Sequence, residues 1–352
     1  MSPKVKSKTV SKRIPAEWEK HRATVLGWPQ NKEDWPGKFE PIPWVFAEII
    51  KHIVPGEEVY LFVGSKAVQR KVTDVLQRAH VDTTQVHFVI EPTDRGWMRD
   101  AAPAYVYNGD TLEAVRFQFN AWAKYDNFTL DAKIPSVLER ITRIPQVNAL
   151  YNGGCVTLEG GAIDYNGAGV LVTTEECLMD TKVQVRNPGF KKKDYEKAFK
   201  EYLGINEVIW LGKGIAGDDT HGHVDDLCRF VSEDTVVLVS EENPKDENYK
   251  PLKQNAERLE GYMFENGKKL QVVKLPMPTR IDFEDLRLPA SYANFYISNN
   301  AVLVPTFNDV NDRIALGILA ELFSDRKVVG IHALDLVWGL GTIHCLSHEI
   351  PL

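Results

Sequence analysis

A strand–turn–strand pattern recurs four times along this chain, and it limits the possible folds more than any other feature. The turns fall at Asn108-Gly109, Asn166-Gly167, Glu233-Asp234 and Asn299-Asn300. Each lies between runs of alternating aromatic and β-branched residues, which is hairpin chemistry. Successive turns are 58, 67 and 66 residues apart. Such even spacing implies one supersecondary unit used repeatedly. Between the hairpins, helical periodicity is followed by a short apolar strand: 45–53 then 58–63, 131–141 then 147–151, 195–202 then 207–211, 252–266 then 270–275, and 314–322 then 327–331. That makes five helix-plus-strand units, with a further helix at 67–79 and strand at 86–90 as an insertion. The strand at 23–28 has no partner, and the last unit ends without a hairpin. The first strand is therefore expected to complete the last unit, giving a closed α/β ring of ββαβ-type units without exposed sheet edges. Residues 14–352 are expected to form this single domain.

Composition narrows the partners. Hydrophobic residues make up 43% and charged residues 26%, as in a soluble globular protein. A formal net charge of −7 argues against nucleic acid or an anionic membrane as partner and suits a small cation. No apolar run approaches the length of a membrane span. Residues 1–13 are basic and polar without an apolar centre, which reads as a disordered tail and not a secretory signal. Cys155, Cys177, Cys228 and Cys345 form no Cys-x-x-Cys pair, so neither a zinc ribbon nor a disulfide framework is expected. A reduced, cytoplasmic protein fits.

The chemically active residues occupy matching places, just before each hairpin. Asp100 lies in Trp97-Met98-Arg99-Asp100, and Glu159 in Thr157-Leu158-Glu159-Gly160-Gly161. His223 and Asp225 lie in Thr220-His221-Gly222-His223-Val224-Asp225-Asp226. Cys345 follows Gly339-Leu340-Gly341-Thr342-Ile343-His344. The fourth unit offers only the quieter Ser291-Tyr292-Ala293-Asn294. In a ring of similar units these positions converge. A planar guanidinium is best held by carboxylates accepting paired hydrogen bonds, a task for Asp100 and Asp225. Its carbon is then open to the Cys345 thiolate, with His223 moving protons and Glu159 orienting that imidazole. Trp97 can line the pocket and stack on a cation. Asp94 and Asp218 are candidates for the far end of the substrate, and Gly341 lets backbone approach it closely.

Plainer readings stand beside these. Cys155, Cys177 and Cys228 read as core fillers in apolar strands. Trp28, Trp97 and Trp122 can be core, and Glu159 can satisfy backbone donors in its glycine turn. His221 and His223, followed by Asp225, have alternating spacing on which a metal could sit, but no further strong ligand is near, so no metal is expected. His344 should point away from Cys345 if the segment is extended.

These motifs, taken in order, resemble the agmatine deiminase and bacterial peptidylarginine deiminase family. The opening Pro15-Ala16-Glu17-Trp18-Glu19-Lys20-His21 and Gly27-Trp28-Pro29 resemble that family's start, so the likeness runs from about Pro15 to the C-terminus. It implies a five-bladed pseudo-symmetric α/β propeller (a pentein), no metal or organic cofactor, and a homodimer. It also implies Cys345 as nucleophile, His223 as general acid/base, Glu159 as the carboxylate near that histidine, and Asp100 and Asp225 as guanidinium ligands. The expected reaction is hydrolysis of agmatine to N-carbamoylputrescine and ammonia. Deimination of free or peptidyl arginine would use the same chemistry. A propeller that only binds is the alternative of another class, against which the complete set of five residues speaks. Departures from the family pattern at Thr93-Asp94-Arg95-Gly96, Ala101-Ala102 and Ser347-His348-Glu349 touch the rim and spare the catalytic set.

Overall fold

Each repeat folds as its alternation demands. Two strands pair antiparallel, and a helix returns the chain so that a third strand lies parallel to the second. The computed structural model describes residues 12–352. Ala104–Asn108 pairs antiparallel with Thr111–Arg116, and after the helix Ile134–Thr142 the strand Gln146–Asn148 joins in parallel. The same order recurs in Ile163–Tyr165, Val170–Thr174 and Glu207–Leu211. It recurs again in Cys228–Ser232, Thr235–Ser240 and Gln271–Pro276, and in Tyr296–Ile297, Ala301–Thr306 and Lys327–His332.

The last set is split between the chain ends. Ser347–Pro351 runs antiparallel to His21–Gly27, with Leu26 opposite Ser347, and Glu58–Val63 then joins in parallel. The first strand thus completes the last unit. Val86–Ile90 extends this sheet beyond Glu58–Val63, where the insertion was expected. Among the described residues there are five sheets of three or four strands and two two-stranded ribbons, a mixed α/β fold.

The helices pack through one apolar face. Ile42–Ile53 buries Ile42, Phe46, Ile49, Ile50 and Ile53 at helical spacing, with Lys51 and His52 in the last turn where cations favour the helix dipole. Lys66–Arg78 starts at Ser65, whose hydroxyl accepts from the Val68 amide at 3.2 Å. No helix among the described residues is long and apolar enough to cross a membrane.

Two expectations need correction. The helix expected over 252–266 is Tyr249–Leu259. It stops before Gly261, whose φ is +67°, and the chain then doubles back so that Met263 bridges Lys269. The tail expected over 1–13 does not include Lys12 and Arg13. Lys12–Arg13 is a short strand opposite Asn108 and Tyr107. Arg13 is held there by an ion pair with Glu19 and by the Tyr107 ring, 5.2 Å away. Residues 1–11 lie outside the described residues.

This docking needs Gly204. Its φ is +72°, and a Cβ there would stand 1.9 Å from the Lys12 carbonyl oxygen. Gly204→Ala is expected to cost about 1–3 kcal/mol or more, through the left-handed backbone and the lost strand contact. A thermal melt should show a lower midpoint, with unchanged turnover per folded molecule.

Candidate active site

The residues singled out before each hairpin occupy short helical turns. Trp97 precedes the turn Met98–Ala101, which carries Asp100. Glu159 precedes Gly160–Ala162, and His223 precedes Val224–Asp226, which carries Asp225. Cys345 lies within Ile343–Leu346. The structure brings Asp100, Glu159, His223, Asp225 and Cys345 into one buried cluster.

His223 sits at its centre. Nδ1 is 3.9 Å from Asp100 Oδ1 and 4.0 Å from Asp225 Oδ1, and Nε2 is 3.9 Å from Glu159 Oε2. These distances are within ion-pair reach but too long for hydrogen bonds. Burial alone would lower the imidazole, but Asp100, Cys177 and Glu159 outweigh it and hold His223 well above its ordinary range. Burial would raise Glu159, but Arg186, with Nε at 3.1 Å, and His223 bring it down to about 2. Asp100 accepts from the Gly161 amide and from Trp122 Nε1, both at 2.9 Å. Asp225 Oδ2 accepts from His344 Nδ1 at 2.7 Å, which outweighs burial and lowers its carboxyl, while Oδ1 has no partner.

The thiol lies beside these acids. Cys345 Sγ is 3.7 Å from Asp225 Oδ2 and 3.1 Å from Asn294 Nδ2. Burial and then Asp225, Asp226 and Asp100 push it well above its usual value, which keeps the thiol protonated. Cys345 and Asp100 line a cavity of about 340 Å³, together with Trp97, Trp122, Gly341 and Trp338. Gly341 earns its place sterically, since a Cβ there would be 3.0 Å from the Trp97 ring and 3.3 Å from Sγ.

Several expectations fail on local geometry. Asp94 and Asp218 do not line the cavity. Asp94 accepts from the Leu130 amide at 2.7 Å, and Asp218 accepts from the Gly222 and His223 amides, both at 2.8 Å. Short carboxylates in tight loops are taken up by backbone donors. Cavity acids are instead Glu33, Asp34 and Asp219, with Arg95 among them. His344 does not point away from the site's chemistry. Its segment is a helical turn, where neighbouring side chains fan round the axis instead of alternating. Its two ring nitrogens meet Asp225 and, at 2.8 Å, Glu17.

Cys155 is exposed on the ribbon Leu150–Tyr151/Gly154–Cys155 and is no core filler. Cys177 is buried, but on the short helix Glu175–Met179 beside His223. Cys228 is a buried strand residue, as expected. Trp28 is core, packed against Phe46 with ring centres 6.0 Å apart, whereas Trp122 lines the cavity with Trp97.

His221 and His223 do not share a face. His221 has φ +66°, Gly222 has φ +93°, and the His221 ring reaches Asp180 at 2.9 Å. Two other groups place one donor atom per residue within 4.8 Å: Glu159, Cys177 and His223, and Asp225, Asp226 and Cys345. In the first, Glu159 is already engaged by Arg186, which a cation would have to displace.

Sequence reasoning missed Asn294, whose Oδ1 accepts from Thr342 Oγ1 at 2.7 Å and from the His344 amide at 3.0 Å, fastening the Cys345 turn. Its place before the fourth hairpin was the available signal. Arg186 carried none. Glu17 lay in the opening motif.

The profile of the Porphyromonas-type peptidyl-arginine deiminase family matches residues 13–351. An agmatine deiminase of Ectopseudomonas mendocina is 31% identical, over 96% of this chain and 95% of its own. An Enterococcus faecalis agmatine deiminase structure superposes with a TM-score of 0.87 at 27% identity, covering 99% of each chain. A C. jejuni agmatine deiminase with a cysteine-to-serine substitution and substrate bound superposes at 0.85 with 29% identity, covering 96% of each. The mixed α/β fold is thus the one these deiminase structures have. The chain belongs to the Porphyromonas-type peptidyl-arginine deiminase family.

Two outcomes follow from this geometry. A Cβ at Gly161 would stand 2.5 Å from His223 Nδ1 and 3.0 Å from both Asp100 Oδ1 and Asp225 Oδ2. Gly161→Ala should therefore lower kcat by about 100-fold or more, with an unchanged circular dichroism spectrum. Glu159 is a lowered carboxyl, so its stabilisation is complete above its ordinary 4.5 and is lost as pH falls toward about 2. The gap in urea-unfolding stability between wild type and Glu159→Gln should shrink by about 3 kcal/mol between pH 5 and 2. A constant gap would contradict the Glu159–Arg186 pairing.

Proposed function

We propose that this chain is an agmatine deiminase, a hydrolase acting on the C–N bond of a linear amidine. The observation that carries the reading is the meeting of Cys345, His223, Asp100 and Asp225 in one cluster, of which Cys345 and Asp100 line the cavity. Asp100 and Asp225 would receive the guanidinium, Asp225 through its unpartnered Oδ1. That cation supplies the positive charge the thiol lacks, and the thiol gives up its proton to solvent as the substrate seats. The thiolate adds to the guanidinium carbon. His223, held as imidazolium, protonates a terminal nitrogen, the C–N bond breaks and ammonia leaves. A thiouronium remains on Cys345. Neutral His223 then takes a proton from water as it attacks the same carbon, the C–S bond breaks, and N-carbamoylputrescine departs. Glu159, clamped by Arg186, favours the charged imidazole throughout.

The same reading extends to the architecture. The five sheets are taken as blades of one pseudo-symmetric propeller over residues 14–352, closed where Ser347–Pro351 meets His21–Gly27. A small cationic guanidino compound is its partner, in a reduced cytoplasmic setting, with a homodimer as the assembly. Arginine as substrate has one observation in its favour: Arg95 lines the cavity and is the kind of group an α-carboxylate seeks.

Ammonia release with agmatine, L-arginine and a blocked arginyl peptide tests the reading, with Cys345→Ala as control. Agmatine should be turned over fastest, and the variant should be silent on all three. Comparable turnover by Cys345→Ala would remove the nucleophile, and turnover of the peptide alone would replace the substrate.

A further inference from the structure

A second set of charges lines the cavity, and the catalytic scheme does not use it. Three acids belong to it, Glu33, Asp34 and Asp219. Glu33 is exposed. Asp219 is engaged on both oxygens, by Lys124 and by the Tyr125 hydroxyl at 2.7 Å. Asp34 differs from both. It ends the turn Lys32–Asp34 and is only 7% exposed. Its Oδ1 accepts from Arg95 Nη1 at 2.6 Å and from Asn31 Nδ2 at 3.3 Å, whereas its buried Oδ2 has no partner. A buried acceptor left unmatched is costly, and a ligand that donates to it recovers that cost.

Arg95 does not supply the missing donor. Its guanidinium lies 3.9 Å from the Tyr125 ring centre and is paired to the other oxygen of Asp34. Burial, against Arg95 but with Asp131, Glu33 and Asp219, pushes the Asp34 carboxyl up to about 7, so this end of the cavity is short of positive charge. Trp97, Trp122 and Trp338 line the same cavity, and their apolar indole rings suit a methylene stem.

We propose that Asp34 receives the distal ammonium of a guanidinoalkylamine substrate and thereby makes the cavity select agmatine over arginine. Arg95 serves as the fixed counter-ion that turns the other oxygen of Asp34 away. An α-carboxylate would have to take Arg95 from Asp34 while facing three acids, a repulsive element as useful for selection as the attraction. This inference rests on the deiminase reading above.

The test compares kcat/KM for agmatine, L-arginine and n-butylguanidine, which is agmatine without its amine, in wild type and Asp34→Asn. Wild type should prefer agmatine over n-butylguanidine by about 10- to 100-fold, the range of a hydrogen bond to a charged group. In Asp34→Asn that preference should fall to near unity, mainly through KM for agmatine, and the gap between agmatine and L-arginine should narrow. Equal losses on agmatine and n-butylguanidine would overturn the assignment. So would a wild-type enzyme indifferent to the amine, a result that does not depend on the variant folding. Absence of ammonia from every guanidine with the wild type would instead remove the deiminase reading.

Discussion

Beneath the candidate nucleophile one carboxylate, Glu17, meets three cationic or hydrogen-bonding side chains. Its Oε2 lies 3.2 Å from Arg99, 3.0 Å from Arg229 and 2.8 Å from His344, and its Oε1 accepts from the Ile297 amide at 2.8 Å. Burial alone would raise this carboxyl, yet Arg229, His344 and Arg99 hold it well below the ordinary range. The contacts tie the start of the described chain to the first, third, fourth and last repeats. Arg99 continues the network to Glu349 at 2.9 Å, and Arg229 to Asp164. Removing one partner from such a buried set typically costs about 3–5 kcal/mol, because the remaining charge has no water to turn to. The network also reaches the site, since His344 meets Glu17 with one ring nitrogen and Asp225 with the other.

Above that network the electrostatics are uneven by design of the fold. Asp100, Asp225, Asp226 and Glu159 are all buried around His223 and Cys345. Burial, then Asp225 and Asp218, push the Asp226 carboxyl well above its ordinary range. Glu159 is neutralised by Arg186, and Asp225 leans on His344. Of these four acids Asp100 is the one that lines the cavity. The wall that carries Trp122 is strained: Ala121, Trp122 and Ala123 all have positive φ, of 49°, 61° and 53°. Gln184 steadies this turn by donating to the Trp122 and Asp219 carbonyls at 3.1 and 3.0 Å. Left-handed backbone in non-glycine residues persists where the surroundings over-determine it, commonly beside a functional site.

Much of this was legible in the chain. Hairpin turns at even spacing marked the sheets, because alternation and turn residues are local signals. The five residues of the cluster stood out because four sit before a hairpin, and Cys345 at the matching point of the last unit, in glycine-rich or acidic motifs. Loops were less transparent. Asp94 and Asp218 look like cavity acids, yet each is consumed by amides within or across its loop, and the neighbouring Arg95 and Asp219 face the cavity instead. Strand alternation misjudged His344, because four residues there make a helical turn. Arg186 gave no warning, since its importance lies wholly in what it touches.

By itself the sequence determined the repeated strand, turn and helix units, the placing of acid, imidazole and thiol before successive hairpins, and the family. These follow from periodicity and from residue types within a few positions of one another. Only the tertiary structure decided the charge state of those groups and the identity of the cavity acids. Protonation depends on burial and on partners far away in the chain: Arg186 for Glu159, His344 for Asp225, and three acids from two segments around Cys345. No local pattern carries that information, because a Coulomb interaction is set by distance in space and by the water that folding removes.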